Sequence, residues 1–381
     1  MNIRELCPAF LFPLLQKLMS IKDIIIYDYY KLTTKVDDKS VFLFSVSREN
    51  LSGNLFFIYD KIKNSDFNIN ICLENDSTGR SKILKNIASS KYTIIDDYTK
   101  MIYPLKLRKG TKLIQVWHST GAFKRMGFSR MGKKGSTIKT SLTHKNYTDV
   151  IVSGSGVVRN FAEAFGVTED KIHPIGVPRT DVFFDKIYKD KITRKLENKY
   201  PIIKDKKVIL FAPTFRGETR KDAFYPNEYL DIRKLLNKID DKYIFGIKLH
   251  PFIKQSMQIH DDLKNRVIDF SSEREINDLL FITDILITDY SSVIFEYSFF
   301  KKNIIYYAPD LKEYIEDRDF FYDYDEYIYG PIARNMDELI NCIGSSQIDY
   351  DKINSFYDRF LNGCDGHASQ RFVDLILNNN K

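Results

Sequence analysis

Residues 284–310, DILITDYSSVIFEYSFFKKNIIYYAPD, decide how this chain folds. A short apolar run breaks at Asp289-Tyr290-Ser291-Ser292 and resumes with amphipathic spacing, so the stretch reads as strand, turn, helix, strand. Ile285, Leu286 and Ile287 suit a parallel strand buried on both faces. Ser291 or Ser292 suits the N-cap of a helix carrying Val293, Phe295 and Tyr297. Such a helix start aims unpaired backbone N–H groups beyond the strand end, and a phosphate is the ligand it favours. A simple cap accounts for the same residues and is the commoner case, so the rest of the chain must decide.

The same alternation runs outward in both directions. Apolar runs of strand length occur at residues 41–46, 69–73, 92–95, 112–116 and 149–152, and again at 208–212, 243–249, 267–270, 284–288 and 303–307. Helical patterns such as residues 227–239 lie between them, which predicts parallel sheets with crossover helices. A very polar stretch, residues 186–207 with Pro201, separates the two series. The chain therefore divides into two α/β domains joined near residues 185–205, in keeping with a length of 381 residues that exceeds one ordinary core.

Composition excludes several classes. With 43% hydrophobic and 14% aromatic residues the chain is too apolar for disorder, and with 29% charged residues too polar for an integral membrane protein. A net charge of +7 suits anionic substrates or an anionic membrane surface, though many soluble proteins are as basic. Cys7, Cys72, Cys342 and Cys364 are scattered without metal spacing and read as reduced thiols. Residues 8–18 (PAFLFPLLQKL) are too short to span a bilayer and lack a cleavage site. Beside Lys17 and Lys22 they could lie in a membrane interface or pack as a helix on the body.

Polar signals gather at the carboxyl ends of the strands, where open α/β sheets bind ligands. His118 follows one strand, Pro213-Thr214-Phe215-Arg216 another, Lys248 and His250 a third, and Asp289 to Ser292 a fourth. His118, in QVWHSTGAFKR, is a candidate general base or a satisfied loop histidine. In GIKLHP, Pro251 displays His250, and alternation puts Lys248 on the same side, as for a phosphate contact. Arg216 and Arg179 have the planar fork that suits phosphate, although a structural ion pair is the commoner fate. The basic run Lys124, Arg125, Arg130, Lys133, Lys134, Lys139 and Lys145 is most simply a solvated face; an anionic acceptor or lipid headgroup is the alternative. His144, His173, His260 and His367 lack such settings and read as structural or solvated. No P-loop, GxGxxG or GxSxG occurs, and the acidic string 323–326 lies away from any strand end.

Six segments in order resemble the CDP-glycerol glycerophosphotransferase family, whose members build teichoic acids and related polyol-phosphate polymers. They are WHSTGAFKRMG at residues 117–127, GVPRTD at 176–181, ILFAPTFR at 209–216, KLHP at 248–251, ITDYSSVIFEY at 287–297 and DGHASQR at 365–371. The resemblance implies a GT-B fold: two Rossmann-like α/β domains with parallel sheets facing a central cleft. Residues 1–190 would be the acceptor side, 191–364 the CDP-alditol side, and 365–381 a C-terminal helix returning to the first domain. The implied reaction is transfer of glycerol phosphate from CDP-glycerol to a hydroxyl of an undecaprenyl-linked glycan or polyol-phosphate acceptor, with release of CMP. CDP-ribitol is the alternative donor, since the GAFK form also appears in ribitol-phosphate enzymes. A nucleotide-sugar glycosyltransferase and a silent anionic-polymer-binding module are readings of other classes.

Carried onto this sequence, the resemblance makes His118 the base and His250 the catalytic partner at the leaving group. Lys248, Thr214, Arg216, Arg179, Asp289, Ser291, Ser292, Gly121 and Lys124 become substrate contacts. No metal, other cofactor or nucleic acid is implied, and the expected location is peripheral, on the cytoplasmic face of the membrane. Ser119, Lys248 and Glu296 stand where the family often has glycine, arginine and aspartate, and a lysine cannot reproduce a bidentate fork.

Overall fold

The computed structural model describes residues 12–74, 76–132, 143–217, 221–255, 257–345 and 347–377. The first four residues of the apolar patch, 8–11, therefore lie outside the described residues, as do Cys7, Lys133, Lys134 and Lys139.

Two six-stranded sheets carry the fold, and every strand pair in both is parallel. The first contains β1 Asp37–Phe44, β2 Asn68–Cys72, β3 Ser90–Ile95, β4 Lys112–Gln115, β5 Asp149–Ile151 and β6 Ile172–His173, in the order β2-β1-β3-β4-β5-β6. The second contains β7 Lys207–Phe211, β8 Tyr243–Ile247, β9 Val267–Asp269, β10 Thr283–Thr288, β11 Asn303–Tyr307 and β12 Ile332–Ala333, in the order β12-β11-β10-β7-β8-β9. Both orders reverse direction next to an early strand of the series, which opens a crevice at the carboxyl ends.

Side-chain alternation sorts the apolar residues into layers. On β10, Leu286 joins a large central core while Ile285 and Ile287 face an outer one. On β1, Phe42 and Phe44 enter the same central core, and Val41 and Leu43 pack on the opposite face. The central core thus draws on both sheets. Phe123, after β4, packs edge-on against Phe295 and Tyr327 from the second half.

Some local expectations are corrected. The polar stretch between the series is a helix, Lys186–Lys199, which buries Ile192 and Leu196 and is capped by Asp185 accepting from Tyr188 N. The helix expected over residues 227–239 shrinks to Ile232–Leu236, because Leu230 is extended and Asp231 supplies a new N-cap. The expected strand 243–249 stops at Ile247. The helix after β10 spans only Val293–Tyr297 before a tighter turn that ends at Lys301, φ 50°. Ser292 is its N-cap by position but makes no capping bond, whereas Ser291 Oγ accepts from Val293 N at 3.3 Å. So short a helix carries little dipole.

The last segment returns to the first sheet. Phe372 and Leu377 join Val41, Leu43 and Ile94 in one apolar cluster. The Asp181 carboxylate caps the helix Ala368–Phe372, accepting from Ala368 N at 2.9 Å and Ser369 N at 2.8 Å. GVPRTD and DGHASQR are therefore bound to each other.

Candidate active site

A cleft of about 480 Å³ is lined by residues from both halves. It brings together His118, Gly121, Lys124, Arg179, Lys248, His250, Ser291 and Ser292. Among its described lining residues Glu296 is the one carboxylate, against Lys124, Arg125, Arg179, Lys248 and Arg274. Glu296 pairs with Arg179, and Arg125 pairs with Glu163 outside the cleft at 3.0 Å. Lys124, Lys248 and Arg274 make no ion pair among the described residues, so the site carries surplus positive charge.

The first-sheet wall is the loop after β4. His118 Nδ1 lies 3.2 Å from the main-chain oxygen of Asp96. A carbonyl oxygen only accepts, so Nδ1 carries the proton and Nε2 is left with its lone pair. Burial lowers the pKa of His118, with the Asp97 carboxylate opposing, so the ring is neutral at pH 7. Gly121 adopts φ 69°, and a Cβ there would stand 2.4 Å from the Phe295 ring. Its glycine is thus demanded by backbone and packing, whatever ligand passes over it.

Lys124 departs from the solvated face expected for the basic run. Its Nζ turns inward, 5.3 Å from the centre of the Tyr314 ring, while Lys145 is exposed as expected. Burial pushes its pKa down to about 7; Asp289 works against this, and Arg318, Arg216 and Arg130 reinforce it. The loop is pinned to the other half by Arg125 N donating to Asp319 O at 2.9 Å and Phe321 N to Phe123 O at 3.0 Å.

The opposite wall follows β8. His250 Nδ1 accepts from Phe252 N at 3.2 Å, so in the neutral ring the proton sits on Nε2. Phe215 and Phe252 flank the ring at 4.8 and 4.6 Å. Lys248, nearly buried, donates to Ser271 O at 3.3 Å, and burial lowers its pKa against the pull of Asp269, Glu273 and Glu275.

Three candidate contacts lie beneath this cleft rather than on its wall. Arg216 spans two carboxylates: Nε and Nη2 donate to Asp310 at 2.6 and 2.9 Å, and Nη1 donates to Asp289 at 3.0 Å. Burial opposes its charge, but the two carboxylates hold its pKa above the ordinary value. Asp289 also accepts from the backbone N–H groups of Thr214 and Tyr290. The Thr214 hydroxyl is enclosed without a hydrogen-bond partner in the described structure. These residues form an internal brace, with the Arg216 guanidinium turned to two carboxylates rather than to the cleft. Arg274, missed by sequence reasoning, does line the cleft; it sits in the charge-rich string SSERE, which gives no strand-end signal.

Of the remaining histidines, His144 is buried among Tyr98, Tyr103, Tyr147 and Phe165, with its pKa pushed down to about 3 by burial. His173 bonds Asp149 at 2.8 Å, and His260 and His367 are exposed. No group of three metal-ligating side chains stands together among the described residues, and none of the described helices is long and apolar enough to cross a membrane.

Comparison with known proteins places this geometry. A solved structure of the wall teichoic acid polymerase TagF superposes with a TM-score of 0.76 at 24% identity, covering 95% of this chain and 96% of that one, and the shared fold is GT-B. The teichoic acid poly(ribitol-phosphate) polymerase of Bacillus spizizenii is 42% identical over 359 residues, 92% of this chain. The alignment spans only 58% of that polymerase. The teichoic acid glycerol-phosphate primase of Bacillus subtilis is 35% identical over 294 residues, 76% of this chain and 74% of the primase. With the family profile matching residues 25–378, this chain belongs to the CDP-Glycerol:Poly(glycerophosphate) glycerophosphotransferase family.

Proposed function

We propose that this chain transfers an alditol phosphate from a CDP-alditol to a hydroxyl of a polyol-phosphate or lipid-linked glycan acceptor. The observation that carries this reading is one cationic cleft holding two histidines with opposite hydrogen-bonding faces. The acceptor hydroxyl gives its proton to His118 Nε2 as its oxygen bonds the alditol-bearing phosphorus. The pyrophosphate P–O bond breaks, and CMP leaves with the electron pair. His250 Nε2–H and Lys248 meet the charge that develops there, Ser291 and Ser292 add hydroxyl donors, and Lys124, Arg179 and Arg274 offset the remaining negative charge. Phosphoryl transfer needs chiefly such positioning and charge compensation.

The motifs point first to glycerol phosphate, whereas 42% identity to a ribitol-phosphate polymerase favours ribitol. Purified protein incubated with CDP-glycerol or CDP-ribitol and a lipid-linked disaccharide separates the two by CMP release. No CMP from either donor would overturn the reading.

For the acceptor's membrane, support comes from the helix Phe12–Thr33. Leu18, Ile21, Ile25, Tyr29 and Leu32 are exposed at spacings of three and four, one stripe of a helix face, with Lys17 and Lys22 beside them. A peripheral location on the cytoplasmic face accommodates both the stripe and a lipid-linked substrate. Removing the residues before Ile21 together with Ile25→Ser, Tyr29→Ser and Leu32→Ser should move protein from the membrane to the soluble fraction; unchanged fractionation would count against anchoring by this helix.

A further inference from the structure

His118 is displayed by a residue in an unfavourable conformation. Trp117 has φ 50°, a left-handed setting that bulky side chains rarely adopt and that persists only where the surroundings enforce it. Both main-chain polar groups of Trp117 are held by side-chain amides. Gln115 Oε1 accepts from Trp117 N at 2.8 Å. Asn54 Nδ2 donates to Trp117 O at 2.9 Å and to Val116 O at 2.8 Å.

Neither amide is a casual neighbour, since both side chains are fully buried. Gln115 is itself anchored, its Nε2 donating to Asp97 O at 3.2 Å and Tyr147 Oη at 3.0 Å. The remaining polar atom of Asn54, Oδ1, accepts from Arg179 N at 3.0 Å. An enclosed asparagine near a helix start is costly unless its hydrogen bonds are made, and here they reach 62, 63 and 125 residues along the chain. Through one amide, the loop bearing His118 and the loop bearing Arg179 are fixed to each other on the cleft wall.

We propose that Asn54 and Gln115 are positioning residues: together they hold Trp117 left-handed so that His118 keeps its Nδ1–H on Asp96 O and its Nε2 in the cleft, with Arg179 in register beside it. The inference rests on the reading of His118 as the proton acceptor. Without the clamp the Trp117 peptide relaxes, the imidazole loses its bond to Asp96 O, and proton transfer fails by misplacement. Donor affinity, to which Lys248, His250, Arg274, Ser291 and Ser292 still contribute, is less affected than turnover.

The test uses the full chain with whichever CDP-alditol it turns over. Asn54→Asp keeps the acceptor for Arg179 N but sets an oxygen against two carbonyls; Asn54→Leu removes all three bonds at similar volume. Gln115→Met frees Trp117 N and drops the Nε2 bonds to Asp97 O and Tyr147 Oη, while leaving the Asn54 bonds in place. Expected for folded Asn54 variants is a loss of about 10²-fold in kcat, with the Kd for CDP-alditol by calorimetry changed less than about threefold. The acid limb of the pH–rate profile should also move to higher pH, because a loosened His118 regains its ordinary pKa. Gln115→Met should show the same two changes at smaller amplitude, and it decides the matter if the Asn54 variants do not fold. Folded variants with parental kcat and an unmoved acid limb would overturn the clamp, as would an equal loss in donor affinity. Absence of CMP release in the parent protein is a different result, which removes the function itself.

Discussion

The two walls of the cleft each present a histidine, and they are wired in opposite senses. On the first-sheet wall Nδ1 donates to a carbonyl oxygen, leaving Nε2 as an acceptor. On the second-sheet wall Nδ1 accepts a backbone N–H, leaving Nε2 as a donor. The same side chain at similar strand-end positions is thus set to take a proton in one place and to offer a hydrogen bond in the other. The difference follows from which backbone atom lies behind Nδ1, a selection of tautomer that residue identity cannot convey.

The sharpest way to break this comparison is to give both walls a side chain that is always a donor and never a base. His118→Gln should lose about 10³-fold in kcat, within the range of a lost general base. Stopped-time CMP assays check it, and a loss under tenfold would remove His118 from the proton-transfer role.

Next in size is the brace under the second wall. Arg216→Met leaves Asp289 and Asp310 enclosed without their cation, and breaking a buried pair from one side costs about 3–5 kcal/mol. Urea denaturation should show that loss. If Arg216→Met instead kept its stability and weakened donor binding, Arg216 would belong with the phosphate contacts after all.

How much of this was legible in the chain depended on the distance over which a signal acts. The stretch 284–310 reads correctly as β10, turn, helix and β11 because period and turn residues are local properties. The strands β6 and β12, each of two residues, leave no periodicity to detect. Cleft membership of His118 and His250 followed from their strand-end positions. The brace did not, because Arg216 finds Asp289 and Asp310 only 73 and 94 residues later. Nor could Asn54 be singled out, since its partners lie on remote loops. The inward turn of Lys124 was likewise hidden: a basic run reads as a solvated face until Tyr314 packs beside it.

The walls should also differ in how pH reaches them. His118 must be neutral to act, and burial holds its pKa below 6.5, so its acid limb should fall below pH 6.5. Lys124 must be charged to offset phosphate, and its pKa of about 7 means that charge is present below pH 7 and lost above it. Activity at subsaturating substrate should therefore decline above about pH 7, approaching tenfold per pH unit. Lys124→Arg, which stays protonated throughout, should flatten the basic limb and leave the acid limb in place. Lys248 is displaced in the same direction by burial, so a residual decline in the arginine variant would point to the second wall.

The smallest expected effect is the most informative about the wiring. Glutamine can set its amide nitrogen near the place of an imidazole Nε2 and donate from there, but it has no basic nitrogen. At position 250 that substitution preserves the donor, so His250→Gln should cost only a few-fold in kcat, while His250→Ala should cost about 10²-fold, the loss of one oriented donor at developing charge. The ratio between His118→Gln and His250→Gln, measured under one set of conditions, then reports the opposite tautomers directly. Equal losses would mean that His250 also exchanges a proton during turnover. The Phe252 N–H behind its ring would then have to let go of Nδ1, and a doubly protonated His250 would acquire a pH limb that the neutral donor lacks.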